Sequence, residues 1–476
     1  MFFHSPTSLF LFLPCVFIFY PLIERKSFKF SKIFLLIFSL IFYGFNHPWF
    51  IIPLLFSAYL DFLISKKLIS KDLNNEIRLL NLIISITVNI GLLTLFKYIP
   101  FIEESFLLLS FKNPFDFPNK FNFILPAGIS FYTFQTLSYV IDAFKGKIIK
   151  SPKAIDYFLY VSYFPQLVAG PILRPSDFFD EKSLCKIRSC NSNFTQGFQR
   201  ICFGLFLKLC LADELSRLND VAFNSDFRLL SSLDAWTMAF GFGLQIYFDF
   251  SGYSHMAIGI SRIIGLPIRE NFCFPYQSKS ATEFWRKWHI SLSNWVSDYL
   301  YSFLNVKLPL WFFGSIPLLF TWAIMGLWHG SSWRYVVWGI LNGVFVLIHR
   351  FYKDFNSNYK FLKFFSIPII SWSITLFSTM STWIYFRSTE WNQANTLFLK
   401  LWKFDFNLSL RENYYLFVFM FFLSSLVFGL IWQNKNLISF KILLRNRITS
   451  FLACSLCLFF SIIFIERQIA FVYFQF

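Results

Sequence analysis

Hydrophobic runs recur along the whole chain, each long enough to cross a bilayer core of about 30 Å as a helix. They fall at about 8–23, 31–46, 48–65, 79–98, 122–142, 195–212, 233–262, 308–328, 333–350, 361–386, 413–432 and 448–466. None alternates apolar and polar residues over ~10-residue segments, as barrel strands do. The pattern predicts an all-α polytopic membrane protein with about 12 transmembrane helices. Lys and Arg collect in every second loop: Arg25, Lys26, Lys29 and Lys32, then Lys66, Lys67, Lys71 and Arg78, then Lys145, Lys147, Lys150 and Lys153. Asn46-His47-Pro48 carries neither, and Glu103, Glu104 and Asp116 offset the lysines after the fourth run. Basic loops face the cytoplasm, so the N-terminus is expected outside.

Residues 154–172 are the exception. If this run crossed, the basic Arg174–Arg200 region would lie outside. Pro165, Gly170 and Pro171 would also free backbone carbonyls in a lipid-facing helix. The expectation is a re-entrant element, after which Arg262, Arg269, Arg286 and Lys287, then Arg350, Lys353, Lys360 and Lys363, and Lys435 through Arg447 are all cytoplasmic. The C-terminus is then extracytoplasmic too.

Composition agrees with a lipid solvent. Of 476 residues, 56% are hydrophobic and only 14% charged, against roughly a quarter charged in soluble domains. The excess of 43 Lys+Arg over 26 Asp+Glu reads as basic loops facing anionic lipid rather than as a nucleic-acid surface. The eight cysteines (15, 185, 190, 202, 210, 273, 454, 457) lack metal spacing, and Cys454 and Cys457 read as packing residues. The first run lacks the basic n-region and small-residue site of a cleavable signal. With no repeat or Gly/Ser linker, residues 1–476 are read as a single domain, with N-terminal helices over 1–120 and a core over 121–476.

Three places carry chemistry. Segment 280–301 is too polar to span. Ser280-Ala-Thr-Glu283 has the form of a capping box. Trp285, Trp288, Leu292, Trp295 and Tyr299 then form an apolar stripe. Thr282, Arg286, His289, Ser293 and Ser297 form a polar one, which predicts one helix at the cytoplasmic face with His289 along a polar path. A plain interfacial helix anchored by a histidine would look the same. His329 follows a long apolar run between Gly326 and Gly330, with Trp322, Trp328, Trp333 and Trp338 near it in sequence. An ionisable residue at membrane depth is a functional candidate. Asp249 interrupts the seventh run and must pair or line a cavity.

Several blocks together resemble the membrane-bound O-acyltransferase (MBOAT) family, and within it the branch that serves alginate O-acetylation. They are Leu125-Pro-Ala-Gly-Ile-Ser-Phe-Tyr-Thr-Phe-Gln135, Tyr163-Phe-Pro-Gln-Leu-Val-Ala-Gly-Pro171, Gln245-Ile-Tyr-Phe-Asp249-Phe-Ser-Gly-Tyr253, Glu283-Phe-Trp-Arg-Lys-Trp-His289-Ile-Ser-Leu-Ser293, Gly326-Leu-Trp-His-Gly330 and Tyr473-Phe-Gln-Phe476. D-alanyl transfer proteins of lipoteichoic acid are a more distant match. The first 120 residues resemble the family in hydropathy alone. Two departures stand out: Ser302-Phe-Leu-Asn-Val-Lys-Leu-Pro309 replaces a basic Pro-Leu-Gly-Gly loop, and His255 stands where relatives often carry Asp.

The resemblance implies an MBOAT fold with a central tunnel and acyl transfer to a hydroxyl, in a multi-pass protein of the inner membrane. It implies His329 as principal catalytic residue and general base, with His289 second, orienting the thioester or stabilising developing charge. Asp249, Trp328, Arg286, Ser293 and Gln135 are its candidates for tunnel or structural support. It implies no bound cofactor or metal; an acyl thioester on the cytoplasmic side (acetyl-CoA or an acyl carrier) is the co-substrate. The expected acceptor is an exported or cell-surface polysaccharide, reached through an extracytoplasmic acetyltransferase partner. D-alanyl or longer-acyl transfer to an envelope polymer or lipid is the alternative. A transporter or channel is the competing class, though its usual inverted repeats are not visible.

The topology is directly testable. On a cysteine-free background, Ser176→Cys and Ser192→Cys are expected to resist impermeant maleimide in intact cells and to react after permeabilisation. Labelling from outside would overturn the re-entrant element and every loop assignment after it.

Overall fold

The computed structural model describes residues 1–70, 73–108, 124–179, 191–266, 268–304, 315–355, 360–433, 447–467, 469 and 471–472. Among these the regular elements are all helical. Each of the twelve apolar runs carries helix. Among the described residues, five helices are long and apolar enough to cross a membrane: Ser8–Lys26, Pro48–Ile69, Asn75–Phe106, Trp333–Phe355 and Glu412–Ile431. Cys185, Cys190, Asp116, the loop from 305 to 309 and Tyr473–Phe476 lie outside the described residues.

Contacts divide the chain into two compact units. The first comprises Met1–Ile201 with Met256–Arg269, the second Cys202–His255 with Glu270–Phe476. In the first, helices Ile51–Ile69, Asn75–Leu93 and Ile129–Phe144 meet through a buried polar cluster. Asp61 accepts from Ser85 Oγ at 2.6 Å and Asn89 Nδ2 at 2.8 Å, while Asn89 Oδ1 accepts from Ser57 at 2.7 Å and Thr136 at 3.2 Å. A carboxyl this deep persists only because each oxygen has a donor.

Residues 154–172 form a nine-residue helix, Ala154–Ser162, a break at Tyr163, and a four-residue helix, Phe164–Leu167. Neither approaches the ~20 residues a spanning helix needs. Side chains satisfy the backbone that the break exposes. Gln135 Nε2 and Gln166 Nε2 both donate to Tyr160 O, at 2.5 and 3.2 Å. Gln166 also bonds Gln135 Oε1 at 2.6 Å and accepts from Leu173 N at 3.1 Å. Gly170 is required by close approach, since a Cβ there would stand 2.4 Å from Gln166 Cα and 2.5 Å from Pro165 O. Gln135, a candidate for tunnel or structural support, is thus a buried clamp on this broken segment.

Gln166→Leu would strand the Leu173 N–H and leave Gln135 Oε1 without this donor. Thermal unfolding of the detergent-solubilised protein is expected to show a loss of about 1–3 kcal/mol per stranded group; an unchanged melting temperature would contradict the clamp.

Candidate active site

The second unit holds both histidines. His329 ends helix Ser315–His329, and a short turn leads into Trp333–Phe355. These two helices pack backbone to backbone. A Cβ on Gly326 would meet Tyr335 O at 2.1 Å, and one on Gly339 would meet Trp322 O at 2.2 Å. The glycines beside His329 therefore serve helix contact, and the place of a Gly330 side chain is taken by the Tyr335 ring, 2.1 Å from such a Cβ. That contact sets His329, only 4% exposed, among rings: Trp328 at 4.9 Å, Trp338 at 5.0 Å and Phe386 at 5.4 Å. Trp322 is buried against Trp285 at 4.7 Å, whereas Trp333 is 42% exposed. Trp383 and Phe386 of helix Pro368–Arg387 close it.

Segment 280–301 departs from the single helix its periodicity predicts. Helix Ala281–Lys287 stops, and Ile290–Trp295 starts after His289. His289 lies in the left-handed region at φ 43°, ψ 54°. A bulky residue there is strained by on the order of 1–3 kcal/mol. The kink turns His289 inward, 1% exposed, while Arg286 stays exposed and Ser293, half-buried, donates to Trp288 O at 3.1 Å. The polar stripe is thus split. The apolar one survives, with Trp285, Trp288, Leu292, Trp295 and Tyr299 all buried. The capping box is half made: Ser280 Oγ accepts from Glu283 N at 3.1 Å, whereas Glu283 reaches Lys279 N at 2.8 Å.

Asn271, which no motif flagged, orients His289. Its Oδ1 accepts from Ser291 N at 3.1 Å and Ser291 Oγ at 2.9 Å, and lies 3.3 Å from His289 Nδ1. A backbone N–H can only donate, so that atom is the amide oxygen and His289 Nδ1 carries the proton. Nε2 is then the lone-pair nitrogen. Burial pushes the imidazole down to about 3, so the ring is neutral near pH 7. Phe250 stands edge-on to it at 4.6 Å, and Trp328 lies 6.3 Å from it. Trp328 thereby contacts both histidines.

Asp249, on helix Ser232–Ile264, faces Lys208, on the helical segment Leu207–Ala212, and both are buried. Lys208 Nζ is 2.8 Å from Asp249 and 2.7 Å from Asp213. Asp249 Oδ2 accepts from Val472 N at 2.7 Å, and Asp213 Oδ2 from Ile469 N at 3.2 Å. Phe471, fully buried, packs on Phe250 at 5.7 Å and Tyr253 at 5.0 Å. The C-terminal segment thus reaches the ring that touches His289. A lone lysine in an apolar run, five residues before an acid, was the available signal for Lys208.

Lys208→Met is expected to destabilise far more than Asp249→Asn. The first leaves two buried carboxylates together, the larger penalty of a broken buried pair at about 3–5 kcal/mol. The second leaves the neutral pair Lys208–Asp213. Equal melting temperatures for the two variants would refute the triad as the anchor.

The description of the family whose model matches residues 37–389 is "MBOAT, membrane-bound O-acyltransferase family". The chain is 32% identical over 422 residues to the peptidoglycan O-acetyltransferase of Helicobacter pylori, covering 82% of this chain and 78% of that one. It is 34% identical over 407 residues to the probable alginate O-acetylase AlgI of Pseudomonas aeruginosa, covering 85% and 75%. To the teichoic acid D-alanyltransferase of Bacillus subtilis it is 28% identical over 279 residues, covering 55% and 68%. Matched along most of its length by the family model and by relatives above 30% identity, the chain belongs to the membrane-bound O-acyltransferase family and is an acyltransferase.

Proposed function

We propose that the protein moves an acetyl group from a thioester donor on the cytoplasmic side toward a hydroxyl of an exported or cell-surface polysaccharide. The observation that carries this reading is the burial of His289 and His329, both against Trp328, in a membrane acyltransferase. Acetyl is favoured over D-alanyl because the acetyl-transferring relatives align over 82% and 85% of the chain, the D-alanyl one over 55%.

In this reading His329 accepts the proton of the attacking hydroxyl as its oxygen adds to the thioester carbonyl. The tetrahedral oxyanion collapses, the C–S bond breaks, and the proton passes from His329 to the departing thiolate. A neutral imidazole suits the first step. With its proton on Nδ1, His289 accepts a hydrogen bond at Nε2, so positioning an N–H or O–H of a substrate suits it better than holding an oxyanion. The aromatic wall excludes water that would hydrolyse the thioester. A central tunnel joining donor and acceptor sides, twelve crossings, the re-entrant 154–172 segment, an inner-membrane location and extracytoplasmic termini belong to the same proposal. So does an extracytoplasmic acetyltransferase partner. The family match runs from 37 to 389, through both compact units, which favours treating 1–476 as one catalytic domain.

His329→Ala is expected to lower surface acyl content, released by mild alkali and normalised to membrane protein, by on the order of 10²–10⁴. The variant should insert normally, because little apolar area is lost. His289→Ala should lower it less. Trp338→Ala should instead lower protein level, at about 3–5 kcal/mol for a buried ring. Near-normal acylation by well-expressed His329→Ala would remove the base and revive the transporter reading.

A further inference from the structure

A groove of about 730 Å³ lies between helix Trp333–Phe355, helix Pro368–Arg387 and the start of helix Ala281–Lys287. Ligand pockets span roughly 300–1,000 Å³. Its walls include Phe345, Ile348, Phe351, Phe355, Phe365 and Ile374. The hydroxyls on one wall are turned to their own helix: Ser371 donates to Pro368 O, Thr375 to Ser371 O and Ser378 to Ile374 O. The slot is therefore apolar in effect. Ile348 and Ile374 are 57% and 50% exposed. Ile348 lies on a helix long and apolar enough to cross the membrane, so the groove opens sideways toward lipid.

Its rim has the opposite character. Lys279 and His349 line it, and Thr282 Oγ1 lies 2.9 Å from His349 Nδ1. Arg286, Arg350 and Lys353, and against them the carboxylate of Glu283, are close enough to act electrostatically on that imidazole. Arg350 is held by the Tyr301 hydroxyl at 3.1 Å, and the neighbouring acid Glu283 is paired with Lys287 at 2.7 Å. Lys279, Arg286 and Lys353 are exposed and form no ion pair with a described residue; Asp354 is the other acid nearby. These loops are the ones whose charge marks them as cytoplasmic. Basic pockets between membrane helices on that side take anionic head groups.

We propose that this groove is a binding site for an anionic phospholipid. One acyl chain lies along Phe345, Ile348 and Ile374, and the phosphate sits against Lys279, Lys353 and His349. Charge complementarity selects the head group and the lateral opening selects a lipid over a soluble thioester. Trp383 and Phe386, further along helix Pro368–Arg387, do not line it and pack instead on Trp338 at 5.8 and 5.1 Å beside His329. The lipid is bound and not transferred, so the proposal stands apart from the acyl chemistry.

Native mass spectrometry of the full-length protein in detergent, with dioleoyl-phosphatidylglycerol or dioleoyl-phosphatidylcholine added, tests it. Phosphatidylglycerol should be retained and phosphatidylcholine lost. Lys279→Gln with Lys353→Gln should weaken retention about 25-fold, from roughly fivefold per cation near an anionic head group. Ser371→Phe, which fills the slot and keeps the charges, should also abolish it. Equal retention of the two lipids, or unchanged retention by the double lysine variant, would overturn the site. Displacement of phosphatidylglycerol by coenzyme A at comparable concentration would overturn it too, in favour of a donor pocket.

Discussion

Lys208 lies between two carboxylates in a part of the chain where water does not reach, and the second unit is arranged around that fact. A buried cation is tolerated only when paired and hydrogen-bonded. Asp213 and Asp249 supply the charge, and backbone N–H groups of Ile469 and Val472 supply donors for the remaining carboxylate oxygens. One cluster therefore fixes helix Ser232–Ile264 against the lysine's helix and draws in the C-terminal segment. Phe471 then holds Phe250, and Phe250 bears on His289. The candidate site inherits its rigidity from an electrostatic requirement several residues away.

The two histidines are placed by different means. His329 depends on steric closeness: Gly326 and Gly339 let two helices touch through their backbones, which carries His329 onto Trp338. His289 depends on a local break, a left-handed residue stabilised by Asn271 and by the loop that pairs with it, where Ile290 N donates to Asn271 O at 2.9 Å. Strain of this kind survives where surrounding contacts over-determine it. A straight helix would have kept His289 in line with the exposed Arg286. The kink separates them and delivers a neutral imidazole with a defined tautomer to an aromatic chamber.

Polar side chains perform the same service in the first unit. Gln135 and Gln166 satisfy the Tyr160 carbonyl and the Leu173 N–H along the broken segment, and Ser57, Ser85, Asn89 and Thr136 surround Asp61. In both units, irregular backbone at depth is accompanied by side chains that replace water.

Hydropathy alone determined that this chain is helical and membrane-embedded, because spans of ~20 apolar residues have few other uses. Loop charges and breaker residues located the short-helix segment at 154–172, and the combined motifs identified the family and singled out His289 and His329. Local periodicity failed at residue 289, since a 3.6-residue stripe assumes continuous helix and carries no sign of a turn set by a distant asparagine. Asn271 and the contacts of the C-terminal segment with Asp213 and Asp249 were equally illegible, and Lys208 offered only its place in an apolar run five residues before an acid. The contacts of Asn271 and of the C-terminal segment span 18 to 256 positions of sequence and join elements whose faces sequence does not align. Which buried charges meet, and which ring touches both histidines, was decided only when helices packed and every polar group at depth had to find its partner.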